Sequence, residues 1–182
     1  MTIFIVIAVV VLIVLFVIVS YNSIVRLRNQ VDNGWAQIDV QIKRRADLIP
    51  NLVETVKGYA AHESGTFEAV VQARDMSLQA ESPAEAAAAE GPIAAALGKL
   101  FALAEAYPDL KADANFRQLQ TEITGTEDRI AFARQFYNDS VTRFHNKVDA
   151  FPGVLIVKLG SFPHRELFEA DDSDRALPKV QF

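Results

Sequence analysis

The sequence has no cysteine in its 182 residues. This excludes disulfide bonds, a thiol nucleophile and any zinc site built on thiolates. Basic clusters are also scarce, because none is longer than the Lys43-Arg44-Arg45 triplet, and the formal net charge is −5. Nucleic-acid binding depends on positive charge along the phosphate backbone. We therefore expect no nucleic-acid partner.

Motifs for catalysis and for cofactor binding are missing as well. His62-Glu63 is not followed by a second histidine at the zincin spacing, and His145 and His164 stand alone in the sequence. There is no glycine-rich phosphate loop and no nucleophile motif around a serine. We therefore predict no enzyme activity, with no catalytic residue, no metal ligand and no cofactor. A ligand- or metal-binding, enzyme-like site around His62 and Glu63 remains the alternative.

The N-terminus carries an unbroken apolar run of seventeen residues, from Ile3 to Val19, without charge, glycine, proline or serine. A helix of this length approaches the roughly 30 Å hydrocarbon core, and Tyr21 follows where interfacial aromatics occur. A signal peptide is the alternative, but it would need basic residues before the run and a small-residue cleavage site after it. We predict a single-pass transmembrane anchor over residues 1–20.

Arginine placement predicts the orientation of this anchor. Arg26 and Arg28 lie just after the run, and only Met1-Thr2 precede it. Because basic flanks stay in the cytoplasm, we expect the N-terminus outside and the following domain in the cytoplasm. The expected location is the bacterial cytoplasmic (inner) membrane, with the lipid bilayer as a partner.

Apolar residues at helical spacing continue from Ile24 to Val70, which predicts a first long helix. Pro50 lies within it, and the helix either kinks there or breaks and restarts with Asp47 as N-cap; the unbroken register favours the kink. We interpret residues 79–92 as a surface linker with at most one or two helical turns, since Ser82 to Glu85 resembles a capping box. A shorter helix is predicted from Pro92 to Ala106, and a last long helix from about Ala114 to Ala150.

These segments predict an all-α protein without strands. Its N-terminal transmembrane helix continues into an antiparallel long-helix bundle, up-and-down and coiled-coil-like. The predicted domains are the anchor (1–20), the bundle with its internal linker (21–152), and a C-terminal tail (153–182). The tail begins with a short apolar patch from Val154 to Leu159, and after Phe162 it is predicted to be polar and loose, apart from Leu167 and Phe168.

Charged residues interrupt the apolar stripes at positions where a core residue is expected. Buried charges must be paired, and opposite charges on facing helices can meet. We predict that Glu127 and Arg134 meet Arg45, Glu63 or Arg74, and that these pairs fix helix register rather than perform catalysis.

The sequence resembles the LemA family from residue 21 to residue 152. The resemblance rests on Tyr21-Asn22, Trp35, Ile38-Asp39, the run from Lys43 to Val53, Val56 to Tyr59, His62-Glu63, Ala73-Arg74, Glu105, Tyr107 to Leu110, Glu127, Arg134, Tyr137-Asn138 and Phe151-Pro152. It implies a bacterial protein with a membrane helix, a helical domain and no established reaction. With the residues that it adds, the predicted buried polar network comprises Arg45, Asp47, Glu63, Arg74, Glu127 and Arg134.

Three functions are compatible with these features. The first is a membrane-anchored helical scaffold or interaction protein, which self-associates as a homo-oligomer or recruits a protein partner through a helical face. This fits the apolar stripe of the first helix, which is longer than the short helix from Ile93 to Leu103 can cover. The second is the ligand or metal site at His62 and Glu63. The third is membrane organisation or remodelling, which the family's link to magnetosome membranes suggests.

Overall fold

The computed structural model describes residues 1–169, and every regular element in that range is helical. The helices are α1 (Thr2–Lys57), α2 (Ser64–Gln79), α3 (Pro83–Ala106), α4 (Pro108–Ala112), α5 (Ala114–Asp149) and α6 (Gly153–Ile156), followed by a 3-10 turn (Val157–Leu159). The predicted all-α class is confirmed for this range, which contains no strand. Residues 170–182 of the predicted tail lie outside the described residues.

Helix α1 combines two chemically different halves in one helix of 56 residues. Its first eighteen residues or so are exposed on all sides, and burial begins at Ser20 and Ile24. The N-terminal segment is therefore a candidate membrane span, since its most apolar window of 18 residues has a mean hydropathy of 3.7 and no buried residue. Helix α3 is also long and apolar enough to cross a membrane, but 39% of its most apolar window is buried.

Pro50 does not end α1, so the preferred prediction of a continuous helix agrees with the structure on this point. A proline at this position cannot donate to the carbonyl oxygen of Ala46, one turn earlier. Arg74 of α2 replaces the missing donor, because its Nε donates to that oxygen at 2.8 Å. The carbonyl that Pro50 leaves without a backbone donor thus receives a hydrogen bond from a specific residue on the neighbouring helix.

The first helix ends earlier than the apolar stripe predicted. It stops at Lys57, and the chain reverses over residues 58–63 before α2 begins. The backbone amides of Tyr59 and Ala60 both donate to the carbonyl of Val56, at 3.0 Å each, which closes the last turn. The apolar spacing in the sequence runs on through this reversal because Phe67 and Val70 of α2 pack in the same core as the apolar side chains of α1.

The prediction of a surface linker at residues 79–92 was wrong. Helix α3 starts at Pro83, and Ser82 caps it by accepting a hydrogen bond from the Glu85 amide at 3.2 Å. Only residues 80–82 connect α2 to α3. Ala86, Ala87 and Ala89 are buried, so the alanine-rich composition reflects close helix packing rather than solvent exposure.

Helices α1 and α5 pack against each other in opposite directions. Tyr137 contacts Trp35, with ring centroids 6.2 Å apart, while Asp113, at the start of α5, accepts a hydrogen bond from Tyr59 at 3.1 Å. Gly34 allows the closest approach, since a Cβ there would lie 3.2 Å from the Tyr137 Cα. The predicted last helix, Ala114 to Ala150, agrees with α5 within one residue at its C-terminal end.

The chain after α5 is packed rather than loose, as far as it is described. Tyr137 donates from its hydroxyl to the Glu166 carbonyl at 2.7 Å. Asn138 binds the backbone of Phe168 twice: its Nδ2 donates to the carbonyl at 2.9 Å, and its Oδ1 accepts from the amide at 2.8 Å. Phe168 is 2% exposed. The prediction of a loose chain after Phe162 was therefore wrong up to Glu166, whereas the exception made for Leu167 and Phe168 agrees with the burial of Phe168. We call residues 161–169 the C-terminal strap.

The contact between Arg74 and Ala46 predicts a specific coupling with Pro50. Arg74→Met leaves a buried carbonyl without a donor, which costs about 1–3 kcal/mol of unfolding free energy. In a Pro50→Ala background the backbone amide gained at position 50 can bond to the Ala46 carbonyl, so the same substitution should cost less. Urea denaturation of the detergent-solubilised protein, followed by circular dichroism, measures both costs.

The exposed pair of Arg74 with Asp75 is lost in both backgrounds, so it cancels in the double-mutant cycle. An equal cost of Arg74→Met in both backgrounds would show that Arg74 does not compensate for the proline.

Candidate functional site

Arg45 is the most deeply buried charged residue in the described part of the chain, with 1% of its surface exposed. Its Nη1 donates to both carboxylate oxygens of Glu127, at 3.0 and 3.1 Å. Its Nη2 donates to Glu90 at 2.6 Å and to the Ser77 hydroxyl at 3.2 Å. Arg45 belongs to α1, Ser77 to α2, Glu90 to α3 and Glu127 to α5. One guanidinium therefore joins all four long helices.

The charge on Arg45 is retained in this environment. Burial by itself disfavours the cation, but hydrogen bonds and charge from Glu90, and then from Glu127, outweigh it and raise the pKa of Arg45 above its ordinary value. Glu90 is largely buried and Glu127 is about one-third exposed, with side-chain exposures of 17% and 37%. The two carboxylates on one cation leave a net negative charge. The arrangement suits helix registration, because the three partners of the cation come from three different helices.

Only two of the six residues predicted to form a buried polar network meet in the structure. Arg45 and Glu127 contact each other, whereas Arg74 serves the Ala46 carbonyl and the exposed Asp75. Arg134 lies over the ring of Phe168, with its Cζ 4.9 Å from the ring centroid. It faces the C-terminal strap rather than a carboxylate.

Two further members of the predicted network lie elsewhere for geometric reasons. Asp47 is exposed, because a position two residues after Arg45 lies on the opposite side of the helix. Glu63 is the N-terminal cap position of α2 and is half-buried; its backbone carbonyl accepts from the amides of Thr66 and Phe67. The predicted network therefore has to be corrected at Asp47, Glu63, Arg74 and Arg134.

Glu90 and Ser77 were missed in the sequence. Glu90 lies inside the stretch interpreted as a linker, and Ser77 was not considered as a partner for a buried charge. A signal for Glu90 was available: it lies four residues after Ala86 and three before Ile93, which places all three on one helical face. Recognising α3 from its cap would have placed Glu90 in the core.

A second cluster of charged residues joins the C-terminal strap to α1 and α5. Arg165 donates from Nη2 to Asp32 at 2.9 Å, and its backbone amide donates to Nε2 of His145 at 3.1 Å. The rings of His145 and His164 have centroids 4.4 Å apart, and His164 Nε2 lies 3.2 Å from an Asp149 oxygen. The two histidines that stood alone in the sequence therefore meet in the structure.

His145 is held in its neutral form by this arrangement. Burial, and then the neighbouring His164, lower the pKa of His145, although Asp149 opposes the shift. A protonated Nε2 could not accept the Arg165 amide. The hydrogen bond from the Arg165 amide thus depends on one imidazole remaining uncharged.

Two open grooves expose apolar side chains. The larger, of about 840 Å³, runs along α2 and is lined by Val53, Lys57, Ala61, Ser64, Phe67, Glu68, Val71, Gln72, Asp75, Met76 and Gln79. The smaller, of about 390 Å³, follows the seam of α1 and α5 and is lined by Gln37, Gln41, Arg129, Phe132, Ala133 and Phe136. Both are surfaces on which apolar contacts can form.

The alternative site at His62 and Glu63 lacks converging ligands. His62 is exposed in the turn between α1 and α2, and Glu63 is half-buried. Within residues 1–169, no group of three or more histidine, aspartate or glutamate side chains has the geometry to hold a metal ion.

Comparison with known proteins places the chain among membrane-associated helical proteins. A family model described as "LemA family" matches residues 34–182. Protein LemA of Metamycoplasma hominis is 28% identical over 158 residues, a match that covers 85% of this chain and 71% of that protein. Magnetosome protein MamQ of Magnetospirillum gryphiswaldense is 24% identical over 189 residues, covering 88% and 70%. Magnetosome protein MamQ 2 of Paramagnetospirillum magneticum matches to the same extent.

The environment of His145 predicts that acid weakens the attachment of the C-terminal strap at Arg165. Because the folded pKa lies below the ordinary value of about 6.5, the strap is stable above that value and loosens as pH falls through the folded pKa. Trp35, the only tryptophan, lines the cavity under His164, Arg165 and Glu166. Its fluorescence should shift to longer wavelength on acidification from neutral pH.

His145→Gln is the matched control, since a glutamine amide oxygen can accept from Arg165 without titrating. The fluorescence shift should become smaller in this variant. An unchanged shift would assign the transition to His164 or to the carboxylates of Asp149, Glu166 and Glu169 nearby.

Proposed function

The chain belongs to the LemA family, and from this premise we propose that it is a single-pass membrane scaffold that holds a helical interaction domain directly at the bilayer surface. In this proposal the scaffold performs no catalysis. The observation that carries it is the continuity of α1, in which the exposed apolar segment passes into the domain's core helix without a linker. A flexible tether would need residues outside regular structure between the two parts.

The proposed domain is an up-and-down bundle of the four long helices. Three features support this arrangement: the opposite directions of α1 and α5, the reversal between α1 and α2, and the shared Arg45 contacts. Each helix contributes one polar group to that cluster. Sliding one helix by a turn, about 5.4 Å, would separate its group from the others. The same contacts would therefore fix helix register across the bundle.

The proposed location is the cytoplasmic membrane of a bacterium, with the N-terminus outside and the domain inside. Arg26 and Arg28 follow the apolar run closely, and the positive-inside rule applies to such short flanks. The similarity to magnetosome proteins supports a role in membrane organisation.

The orientation can be tested directly because the chain has no cysteine. We expect Thr2→Cys to react with a membrane-impermeant maleimide in intact cells, and Gly98→Cys, on an exposed position of α3, to react only after permeabilisation. Extraction of the protein by alkaline carbonate would contradict the anchor itself. The opposite labelling pattern would leave the anchor intact and reverse the orientation.

We further propose that the scaffold self-associates through the seam of α1 and α5. Phe132 and Phe136 are 72% and 44% exposed there, beside Gln37 and Gln41. Glutamine carries both a donor and an acceptor, so two copies of this patch could satisfy each other's amides around a two-fold axis. Recruitment of a different protein through this face is the alternative.

This face predicts the effect of single charge substitutions on oligomer size. Light scattering should give a defined oligomer for the full-length protein in mild detergent. Phe132→Glu should lower the mass to that of a monomer, because a charge at a desolvated contact is unfavourable. Met76→Glu, in the groove along α2 and 46% exposed, is the matched control and should retain the oligomer.

A wild-type monomer would contradict self-association and would direct cross-linking experiments toward a different protein partner. Dissociation by Met76→Glu alone would move the contact to α2.

A further inference from the structure

We propose that residues 151–159 form a second contact with the lipid bilayer, an interfacial foot that lies among the headgroups beside the anchor. This inference rests on the proposed membrane span of α1. It adds a second surface, to which no motif in the sequence assigns a role. The foot comprises the loop after α5, helix α6 and the following 3-10 turn.

The foot lies level with the end of the apolar run. Ile156 of α6 is 4% exposed and belongs to the same apolar cluster as Ile24 of α1. Just after the foot, Phe162 packs edge-on against Tyr21, with ring centroids 5.5 Å apart. Tyr21 follows Val19, the last residue of the run, by two positions. The foot is therefore beside the point at which α1 would leave the hydrocarbon.

The outer face of the foot is apolar. Phe151 is 79% exposed, Leu159 67%, Leu155 55% and Val154 42%. The inward-facing Ile156 buries its side chain, so the segment is amphipathic despite its short length. Isolated apolar residues on a surface need no explanation, but four within nine residues of sequence form a concentrated patch. Such a patch next to a membrane helix is typical of an interfacial segment.

Charge around the foot favours lipid as its partner. Residues 20–28 and 145–162 contain four basic side chains, Arg26, Arg28, Lys147 and Lys158, but a single carboxylate, Asp149. The whole chain, in contrast, has a net charge of −5. Basic residues at the bilayer surface attract anionic headgroups, while apolar neighbours enter the acyl boundary. The overall acidity of the chain therefore does not describe the end that faces the membrane.

The position of the foot is fixed by a close backbone contact. A Cβ at Gly153 would lie 1.8 Å from the carbonyl oxygen of Lys147 in the last turn of α5. Only glycine permits this approach, so α6 folds back directly onto the end of α5. The foot is held by the domain and does not require the bilayer to place it near the anchor.

Single-cysteine labelling with an environment-sensitive fluorophore tests the foot in the full-length protein. The variants Leu12→Cys, Leu155→Cys and Phe132→Cys are each labelled with a nitrobenzoxadiazole dye. Each is reconstituted in vesicles of phosphatidylcholine and phosphatidylglycerol containing lipids with a nitroxide quencher at a shallow or a deep position. Leu12 lies in the middle of the anchor, and Phe132, in the proposed self-association contact, is an apolar control far from the bilayer. Phe132 neighbours Gln41, which is about 30 Å along α1 from Tyr21.

We expect the dye at position 155 to emit at shorter wavelength than in water and to lose more fluorescence to the shallow quencher than to the deep one. The dye at position 12 should lose more to the deep quencher, and the dye at position 132 should lose little to either. Quenching at position 12 without quenching at position 155 would overturn the foot and leave the anchor intact. Absence of quenching at position 12 would overturn the anchor.

A blue-shifted dye at position 155 that neither quencher reaches would also overturn the proposal, because it would indicate a protein contact at the foot. In parallel vesicles of phosphatidylcholine alone, weaker quenching at position 155 would support the electrostatic contribution of Lys147 and Lys158.

Discussion

The charge on Arg45 has to be neutralised within the protein, and this requirement organises the helical domain. An arginine cannot lose its proton in a protein interior, so burial must be offset by acceptors with good geometry. Two carboxylates and a hydroxyl provide them, each from a different helix. The Arg45 contacts also divide the apolar core into two clusters. Ile42 belongs to the cluster on the anchor side, and Ile49 belongs to the cluster farther from the anchor. Apolar contacts alone would tolerate small shifts of one helix along another, whereas these bonds do not.

The single-helix link between anchor and domain depends on a similar compensation. A proline inside a helix normally weakens it, and Pro50 lies only five residues after Arg45. Arg74 supplies the donor that the proline lacks, so α1 continues to Lys57. Arg45 and Arg74 thus support adjacent positions of α1 in different ways. Arg45 binds carboxylates across the core, and Arg74, from α2, binds the backbone carbonyl of Ala46. Both act on the helix whose N-terminal segment is the candidate membrane span.

The sequence predicted helices well where apolar periodicity was long and the end signals were strong. The helical anchor segment, the continuous course of α1 through Pro50 and the bounds of α5 followed from that pattern. The stripe could not locate the turn at residues 58–63, because α2 faces the same core with the same period. The alanine-rich start of α3 carried little periodic signal, since small residues are hydrophobic without being bulky. Glu90 was lost with it, and so was most of the partner set of Arg45.

Contacts between segments far apart in the chain could not be predicted from the sequence, for a different reason. Neither the pairing of His145 with His164 nor the two hydrogen bonds between Asn138 and Phe168 has a local pattern. They arise because the strap returns along α5, which depends on the turn at Gly153. A single position without a side chain therefore determines where several polar groups meet.

An unbroken α1 also has a mechanical consequence. From Ser20 to Lys57 the helix extends about 56 Å, at about 1.5 Å per residue, with no joint along its length. Transmembrane helices tilt by about 20° on average, and the tilt responds to bilayer thickness. A change of about 10° at the anchor would displace the far end of the domain by roughly 10 Å, which is about one helix diameter. A change in bilayer thickness would in this way be converted into a movement of the end of the domain farthest from the membrane.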